Sequence, residues 1–365
     1  MSPSRYRVVQ WATGNTGQRA LREVIRHPAL DLVGVKVYDP AKDGVDAGDL
    51  CGESRTGIAA TTDREAMFAL KPNCVLYMAR AAGPSNARIG LTIPEVLDDV
   101  VTLLESGANV MTTVTDFHAG GNPRLGEEGF ARLRAACERG NSSLYANGTD
   151  PGLVSDQIAL ALLSAQRLVQ SVEIIEYGDV SQRPSHHMIF EQLGFGKPLA
   201  EFSSEQWAAH LHDEFVPTLR MLADAAGLTV DGSSARGEVA AAREDTSIVA
   251  GTVKAGTVAG QRFIVALQSG GKDVVRLDQY AYVTKDLDPA WDIREVGWRV
   301  RVDGDAPWDV DLPFAVPLDR IGQFVPAYNA NLSVNAIPYL CAAPPGILTV
   351  EDLPPILPRG PRPRR

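Results

Sequence analysis

The sequence lacks the features that mark metal-binding and disulfide-rich proteins. Its four cysteines, Cys51, Cys74, Cys137 and Cys341, lie far apart among 365 residues, without a CxxC pair or a cysteine–histidine cluster. Such a pattern is typical of a reducing compartment and offers no spacing suited to a metal ion. We therefore expect a cytoplasmic protein that holds no metal.

The sequence also lacks a long apolar run and an excess of basic residues. No uninterrupted apolar stretch reaches the roughly 18 residues that a membrane helix needs. The polar start "MSPSRYR" leads into a strand pattern and not into the apolar region of a signal peptide. The formal net charge of −10 argues against binding to nucleic acid or to an anionic membrane. We expect neither partner.

The first part of the chain alternates strand and helix patterns. Apolar strands such as "YRVVQWA", "LDLVGVKVYD" and "NCVLYMA" are followed by segments with helical spacing, such as "GQRALREVIRHP" and "IPEVLDDVVTLLESG". This alternation predicts parallel strands joined by right-handed crossovers, which is a doubly wound α/β sheet of the Rossmann type. Ligands bind such sheets at the carboxyl ends of the strands.

The turn "ATGNTG" joins the first strand to the first helix. Ala12, Gly14 and Gly17 occupy the positions of a GxGxxG motif, with alanine in place of the first glycine. Gly14 lets a pyrophosphate approach the backbone, Gly17 lets the helix pack close to the strand, and the helix N-terminus offers free N–H groups. The alternative is that the glycines serve the turn alone. We predict that NAD(P)H is bound by Gly14, Asn15, Thr16 and Gly17.

Asp39 follows the second strand, about 20 residues after the glycines, where a carboxylate accepts hydrogen bonds from an adenosine ribose. A carboxylate there favours NAD, because it repels the 2'-phosphate of NADP. Lys36 and Lys42 are close enough in sequence to offset that repulsion. The choice between NAD and NADP therefore stays open. Further cofactor contacts are expected where later strands end, at Ala79, Thr112 and Thr113.

The segment "NVMTTVTDFHAGG" supplies the candidate catalytic residues. We expect its strand to end at about Val114, so that Thr115 and Asp116 lie where the nicotinamide would bind. A carboxylate in that place exchanges a proton with the substrate while hydride moves. The alternative for Asp116 is a structural role as the cap of a turn.

The segment "LYANGTDPG" ends the alternating region. Asn147 and Thr149 follow its strand, and we predict that they contact the substrate. Asp150 precedes Pro151 and fits the N-cap of the next helix, with proline at the first helical position. That helix is expected to close the first domain.

The middle of the chain changes to long strands such as "RFIVALQS", "DVVRLDQYAYV" and "VGWRVRVDG". These strands predict an inserted α+β domain with a mixed or antiparallel sheet. The apolar segment "NLSVNAIPYL" predicts a C-terminal helix that returns to the first domain. We expect a Rossmann domain at 1–168, a substrate and dimerisation domain at 169–325, a returning helical segment at 326–355 and a disordered tail at 356–365.

Two later segments supply further candidates. In "SHHMIFEQLGFGKP" we predict substrate contacts from His187, Phe190 and Phe195, with plain packing of the phenylalanines as the alternative. We expect the two adjacent histidines to lie on a strand, where at most one of them faces the cleft. Asn335, in the C-terminal helix, is expected to approach the nicotinamide end of the cofactor.

Four motifs resemble those of a known family: "WATGNTG", "ESGANVMTT", "NGTDPGLVSD" and "VNAIPYLCAAPPGILTVEDLPP". From about residue 5 to residue 355 the chain resembles the dihydrodipicolinate reductase-like superfamily. Within it, the chain is most similar to 2,4-diaminopentanoate dehydrogenase and the native amine dehydrogenases. The resemblance implies NAD(P)-dependent interconversion of an amine with a ketone plus ammonia, and a homodimer formed through the sheet domain.

The family usually carries a Glu-Glu pair just after the active-site strand, and here Thr115 and Asp116 stand at that point. We expect reductive amination of a small ketone or aldehyde, and the reverse deamination, with the carbonyl compound between "VTDF" and "MIFEQLGFG". The departure from Glu-Glu leaves an ammonia-independent carbonyl reductase as one alternative. A non-catalytic NAD(P)-binding protein is another.

Overall fold

The computed structural model describes residues 5–81 and 91–358, so the predicted disordered tail lies outside the described residues from position 359 onward. The chain divides into two compact units, Met1–Gly152 with Val325–Arg365, and Leu153–Phe324. We predicted a division at residue 168, and the structure places it after Gly152. The reason is that Val154, Ala159 and Leu163 are buried in the apolar core of the second unit.

The strands of the described residues are numbered along the chain. They are β1 (Tyr6–Trp11), β2 (Leu30–Lys36), β3 (Ala60–Thr61), β4 (Cys74–Tyr77), β5 (Asn109–Thr112), β6 (Ser143–Ala146), β7 (Val169–Asp179), β8 (Gly232–Ala242), β9 (Thr246–Ile248), β10 (Gly251–Val253), β11 (Val258–Ser269), β12 (Lys272–Tyr282), β13 (Leu287–Asp288), β14 (Gly297–Gly304), β15 (Trp308–Pro313) and β16 (Gly346–Leu348).

The α-helices of the same residues are α1 (Asn15–Arg26), α2 (Ala47–Cys51), α3 (Arg64–Ala69), α4 (Ile93–Glu105), α5 (Gly126–Gly140), α6 (Ala159–Leu163), α7 (Ser204–Ala225) and α8 (Ile321–Leu340). Local sequence accounts for several of their ends. At the start of α4, for example, the Thr92 hydroxyl accepts the N–H of Glu95, while the Glu95 carboxylate accepts the N–H of Thr92. This reciprocal capping satisfies N–H groups that the first helical turn leaves unbonded.

The sheet of the first unit is parallel, and its strand order within the described residues is β16-β6-β5-β4-β1-β2-β3. Its two faces bury alternate residues of the strands. Val8 packs in a cluster with α1 and α8, whereas Val9 packs in a cluster with α4 and α5. Covered faces on both sides are the mark of a doubly wound sheet. The predicted Rossmann fold and the returning C-terminal helix are confirmed.

The second unit contains a mixed sheet with the order β13-β8-β11-β12-β7-β14-β15 among the described residues. Strands β7 and β12 pair in parallel, and the remaining neighbours are antiparallel. Helix α7 packs on one face, where Leu219 and Leu222 share an apolar cluster with Val265 and Leu277. The predicted α+β domain with a mixed sheet is thereby confirmed.

The segment "SHHMIFEQ" was expected to be a strand, and the structure shows a short π-helical segment at His187–Gln192. The Ser185 hydroxyl accepts the N–H of Met188 at 3.2 Å, and the N–H of Leu193 donates to the carbonyl of Met188 at 2.8 Å. These hydrogen bonds within the segment compete with the pairing that a strand would need. The helical turn also buries Ile189 in an apolar cluster of the second unit. Within the described residues, no helix combines the length and apolar character required to cross a membrane.

His27, at the C-terminal end of α1, makes unfolding sensitive to pH. Its Nδ1 accepts the N–H of Ala29 at 3.2 Å, so the ring proton sits on Nε2, which is buried and has no hydrogen-bond partner among residues 5–81 and 91–358. Burial, aided by the charge of Arg5, lowers the pKa of this imidazole. His27 therefore binds a proton more readily in the unfolded chain than in the folded one. The free energy of unfolding falls as the pH drops below about 6.5, the pKa of histidine in an unfolded chain.

We expect His27→Gln to lose less stability than the wild type between about pH 7.5 and pH 5.5. Urea unfolding followed by circular dichroism at both pH values measures this difference. The matched control is His186→Gln, since His186 is exposed, and both variants are compared with the wild type at the two pH values. An unchanged pH dependence in His27→Gln would show that His27 is not the group responsible.

Candidate cofactor and catalytic site

The carboxyl ends of four strands of the first sheet form a common edge. The pairing register aligns one residue from each strand, namely Trp11, Tyr77, Thr112 and Ala146. The residues that follow this row therefore lie at the same edge, and the N–H of Asn147 donates to the carbonyl of Thr112 at 3.0 Å. The sheet thus brings together the glycine turn, Ala79, Thr113, Asp116 and Asn147.

The glycine turn fits a pyrophosphate. A Cβ on Gly17 would lie 2.2 Å from the carbonyl oxygen of Ala12, so only glycine lets α1 pack this close to β1. A Cβ on Gly14 would meet no atom within 4 Å among the described residues, so Gly14 borders open space. Gly14 is also the N-cap of α1, and no side chain of the described residues caps this helix end. Free N–H groups beside open space are suited to an anion.

Two lysines near the turn differ in their accessibility. Lys42 lies at the turn, where its Nζ donates to the carbonyl of Thr13 at 2.9 Å and to the Thr13 hydroxyl at 3.2 Å. Lys36 is buried, donates to the carbonyl of Val37 and lies 4.0 Å from the centre of the Tyr38 ring. Burial lowers the pKa of Lys36. Lys42 is therefore the lysine whose charge lies at the turn.

Asp39 is exposed, and its Oδ1 accepts the N–H of Ala41 at 3.0 Å at the start of the short turn Pro40–Lys42. This capping bond uses one carboxylate oxygen and leaves the other directed to solvent or ligand. Asp39 thus has a structural contact that the sequence did not predict. The bond is compatible with a ribose contact, because Asp39 stays exposed.

A buried polar network lies at the ends of β1, β2 and β4. Asp99, on α4, accepts hydrogen bonds from the Tyr38 hydroxyl at 3.4 Å and the Tyr77 hydroxyl at 3.2 Å. Trp11 Nε1 donates to the Tyr38 hydroxyl at 2.8 Å, and Arg64 lies 3.3 Å from the Asp99 carboxylate. Burial raises the pKa of Asp99. The network ties the segment before Asp39 to α4, and the sequence analysis missed it.

Asp116 lies in a short 3-10 turn, Thr115–Phe117. We predicted that the preceding strand ends at about Val114, and the structure shows that β5 ends at Thr112. The Thr112 hydroxyl accepts the N–H of Val114 at 3.0 Å, which ends the strand pairing. Thr112 and Ala79 are fully buried, backbone included, whereas Thr113 is half-buried, so Thr113 is the accessible one of these three predicted cofactor contacts.

Asp116 is 2% exposed, and Arg124 Nη1 lies 3.1 Å from its Oδ1 and 3.3 Å from its Oδ2. A guanidinium at this distance stabilises the ionised carboxylate. The arrangement is a buried carboxylate paired with a guanidinium. Arg124 was not predicted from the sequence, because its contact with Asp116 depends on how the chain folds between residues 116 and 124.

The turn after β6 is held by α8. Asn329 Oδ1 accepts the N–H and the hydroxyl of Thr149 at 2.8 and 3.1 Å. Asn147 is 4% exposed, and its Nδ2 has no hydrogen-bond partner in the described part of the chain. Gly152 has a φ of +137°, and a Cβ there would lie 1.9 Å from Asn147 Oδ1. The turn therefore presents a buried amide group beside β5.

Asp150 does not cap a helix as predicted. The next helical segment begins only at Leu153, after a turn closed by the bridge between Gly148 and Gly152. Asn335, predicted to contact the cofactor, lines a pocket with Glu23 and Arg26 near the C-terminal end of α1. That is the opposite end of α1 from the glycine turn. Asn329 was missed, and it is the asparagine of α8 that reaches the strand ends.

The remaining candidates belong to the second unit. His187 is exposed, and its Nδ1 lies 2.7 Å from Glu191 Oε2. Phe195 is 1% exposed in an apolar cluster that also contains Ile189. Phe190 is half-buried at the edge of the same cluster. These contacts give Phe195 a packing role and leave Phe190 as the more accessible apolar side chain.

No three side chains of His, Cys, Asp or Glu come together as a possible metal site within residues 5–81 and 91–358. Hydride transfer to and from a nicotinamide does not require a metal ion. The groups that the structure does assemble are therefore an anion-binding helix terminus, a nearby lysine and a buried carboxylate.

Residues 153–359 match the 2,4-diaminopentanoate dehydrogenase C-terminal domain. The chain is 28% identical over 363 residues to an amine dehydrogenase from Streptomyces virginiae, covering 95% of each chain. The solved structure of an amine dehydrogenase from Mycobacterium smegmatis matches with a TM-score of 0.73 and 19% identity over 98% of each chain. An oxidoreductase from Agrobacterium radiobacter, in complex with NAD+, L-tartaric acid and magnesium, matches with a TM-score of 0.51 and 11% identity, covering 92% of this chain and 88% of that one.

The two structural matches show the fold, a Rossmann sheet followed by a second, mixed sheet. The matched domain covers more than half of the 365 residues. It begins at Leu153, where the second unit begins, and the resemblance predicted from the four motifs is confirmed. The chain belongs to the 2,4-diaminopentanoate dehydrogenase family.

Proposed function

We propose that the protein is an NAD(P)-dependent oxidoreductase of the amine dehydrogenase type. It interconverts a small ketone or aldehyde plus ammonia with the corresponding amine. The observation that supports this most directly is the common edge of the first sheet, where an uncapped helix N-terminus follows β1 and the buried carboxylate of Asp116 follows β5, with only β4 between these two strands. Family membership supplies the reaction type.

The cofactor is held by residues of the first unit. The N–H groups of Asn15, Thr16 and Gly17 bind the pyrophosphate, and Gly14 leaves room for it. Asp39 accepts hydrogen bonds from the adenosine ribose, and the half-buried Thr113 lines the same edge. Hydride transfer is the chemistry that a bound nicotinamide supplies.

Asp116 moves the protons of the reaction. Its ionised carboxylate accepts a proton from the nitrogen nucleophile as the carbon–nitrogen bond forms, and it returns a proton to the hydroxyl group that leaves as water. Arg124 holds the carboxylate in place and favours its charged form. Thr115, beside it, and Asn147, with its free buried Nδ2, are positioned to bind the polar atoms of the substrate.

We also propose a homodimer through the sheet of the second unit. The face opposite α7 carries charges of both signs, because Arg276 pairs with Glu173 and Asp278, and Arg262 pairs with Asp278. Opposite charges on one face allow it to pair with a copy of itself across a two-fold axis. Light scattering after gel filtration tests the mass, and a monomer at micromolar concentration would refute the dimer.

The function is tested by the absorbance of NADH and of NADPH with a panel of small ketones and aldehydes, with and without ammonium. Turnover that depends on ammonium supports the amine dehydrogenase proposal. Equal turnover without ammonium contradicts it in favour of a carbonyl reductase. Tight cofactor binding without turnover of any carbonyl or amine contradicts it in favour of a non-catalytic binding protein.

We propose that NADPH is accepted alongside NADH, because the Lys42 ammonium beside Thr13 offsets the charge of Asp39. Lys42→Met should weaken NADPH binding at least about tenfold more than NADH binding, since only NADPH carries the 2'-phosphate. Fluorescence titration of both reduced cofactors measures the difference. The matched control is Lys272→Met, since Lys272 is exposed on β12. Equal weakening of both cofactors would rule out this role for Lys42.

A further inference from the structure

Two of the four cysteines meet in the first unit, although they are distant in sequence. Cys74 is the first residue of β4, and Cys341 directly follows α8. The N–H of Cys341 donates to the carbonyl of Ile337 at 3.0 Å, so the helical path of α8 fixes its position. Cys74 is part of the apolar cluster that joins the sheet to α1 and α8, and Cys341 packs against that cluster. Both thiols are free in the structure.

A polar contact brings the Cys341 thiol to the start of β4. Its Sγ donates to the carbonyl of Asn73 at 3.7 Å, one residue before Cys74. The same carbonyl accepts the N–H and the Nδ2 of Asn109 at 3.1 and 3.0 Å, and these bonds hold it in place. The two thiols also form a side-chain hydrogen bond with each other. The two sulfur atoms are therefore neighbours in the folded protein.

The two thiols differ in their access to solvent. Cys74 is 0% exposed, whereas Cys341 is half-buried. The hydrogen bond with Cys341, and then burial, raise the pKa of the Cys74 thiol well above its ordinary value, so this thiol stays protonated. Oxidation of cysteine follows exposure and thiolate character. A small oxidant therefore reacts with Cys341 first, and Cys74 is the thiol next to the oxidised sulfur.

We propose that Cys74 and Cys341 form a reversible disulfide when the protein meets a peroxide. With hydrogen peroxide, the Cys341 sulfur bonds to one oxygen, the O–O bond breaks, and water leaves behind a sulfenic acid. The Cys74 sulfur then bonds to the Cys341 sulfur, the S–O bond breaks, and the hydroxyl leaves as water with the Cys74 proton. Two thiols are oxidised while one peroxide is reduced to two waters. A dithiol reductant reverses the bond.

The disulfide would fasten the end of α8 to the sheet of the first unit. It would close a loop that contains the whole of the second unit, Leu153–Phe324. A cross-link that closes a long loop stabilises a protein by restricting its unfolded chain. Cys74 begins β4, whereas the candidate cofactor site lies beyond the other end of this strand, at Tyr77. The inference therefore does not depend on the proposed function.

The test uses the reduced full-length protein, treated with hydrogen peroxide and digested without reduction. We expect mass spectrometry to find the peptides of Cys74 and Cys341 joined, and dithiothreitol to separate them. The matched control is Cys51→Ala, since the buried Cys51 bonds to the carbonyl of Ala47, and this variant should form the same disulfide. Cys341→Ala changes a half-buried side chain only, and it should leave Cys74 reduced.

Urea unfolding then measures what the bond does to stability. The equilibrium constant for unfolding should be at least about tenfold smaller for the oxidised wild type than for the reduced wild type. In Cys341→Ala the treatment with peroxide should leave this constant unchanged. Dithiothreitol should return the oxidised wild type to the stability of the reduced protein.

Dimedone, which captures sulfenic acids, separates a missing partner from a missing oxidation. The proposal is overturned if dimedone captures Cys341 in the wild type while no joined peptides form. It is also overturned if all four thiols survive an excess of peroxide, or if other cysteine pairs join as readily as Cys74 and Cys341. An oxidised protein that is no more stable than the reduced one refutes the stabilising role.

Discussion

Replacing Gly14 with alanine should abolish binding of NAD(P)H while leaving the protein as stable as the wild type. Gly14 has a φ of −73°, which alanine adopts without strain, and an added Cβ meets no described atom within 4 Å. That Cβ stands instead in the space at the N-terminus of α1 where the pyrophosphate would bind. We expect the affinity for the reduced cofactor to fall at least about 100-fold, or about 2.7 kcal/mol. Calorimetric titration with NADH and NADPH measures it.

Two further glycine variants separate a lost binding site from a damaged fold. In Gly17→Ala the new Cβ would lie 2.2 Å from the Ala12 carbonyl oxygen, so α1 must move and stability falls by about 1–3 kcal/mol together with cofactor affinity. Gly322→Ala, in α8, meets no described atom within 4 Å, and it should change neither property. Cofactor binding by Gly14→Ala at wild-type strength would show that the pyrophosphate does not bind at this turn.

Replacing Asp116 with asparagine should lower kcat about 10²- to 10⁴-fold, because an amide of the same shape cannot accept the proton. The dissociation constant of the reduced cofactor should change less than about twofold, since no proposed cofactor contact involves this carboxylate. Stopped-flow measurement of hydride transfer in a single turnover separates the chemical step from product release. Chemical denaturation checks that the loss of the anionic partner of Arg124 has not unfolded the protein.

Three further variants show whether the loss of activity is due to the carboxylate of Asp116 itself. Asp116→Glu keeps the carboxylate and should keep part of the activity, and Arg124→Lys, which keeps a positive charge that can replace the single nitrogen Nη1 in contact with both carboxylate oxygens, should also keep part of it. The control Glu127→Gln removes an exposed carboxylate from the first turn of α5 and should leave kcat unchanged. Wild-type kcat in Asp116→Asn would assign Asp116 to the structural role of holding the turn.

The fold was largely predictable because it depends on patterns within single elements. Buried strands such as β4 and β5 are short apolar runs, and α4 combines a capping threonine with helical spacing of apolar residues. The division of the chain was less accessible. Leu153–Leu163 is apolar and helical in either domain, and only its packing partners decide that it belongs to the second unit.

The candidate site was predictable where residues follow strands and less so where it depends on tertiary contacts. Asp116 and Asn147 were predicted as site residues because they follow β5 and β6, and the structure places both at the common edge of the first sheet. Asn335 was chosen in α8, but Asn329 reaches the strand ends. Six positions rotate a helix by about 240°, so the two asparagines lie on different sides of α8. The spacing of the apolar residues in α8 did not show which side of the helix faces the ends of the strands.

The sequence indicated that Asp99 is buried, and this indication could have been used to predict a polar network. It lies in "PEVLDDVV" at a position that helical spacing assigns to the buried side of α4, together with Val96 and Val100. A carboxylate on a buried side needs donors, and Tyr38 and Tyr77 provide them from the ends of β2 and β4. The identity of those donors required the structure, since both are distant in sequence.

The interrupted first unit has a consequence for the order in which the chain folds as it is synthesised. Its apolar cluster joins Val8 and Val24 to Val334, Ile337 and Leu348, so it stays incomplete until residues 334–348 have left the ribosome. The second unit, Leu153–Phe324, is continuous and has its own core before that point. Domains generally fold as units during synthesis. The first unit is therefore completed only after the second unit, although its own first strands are synthesised earlier.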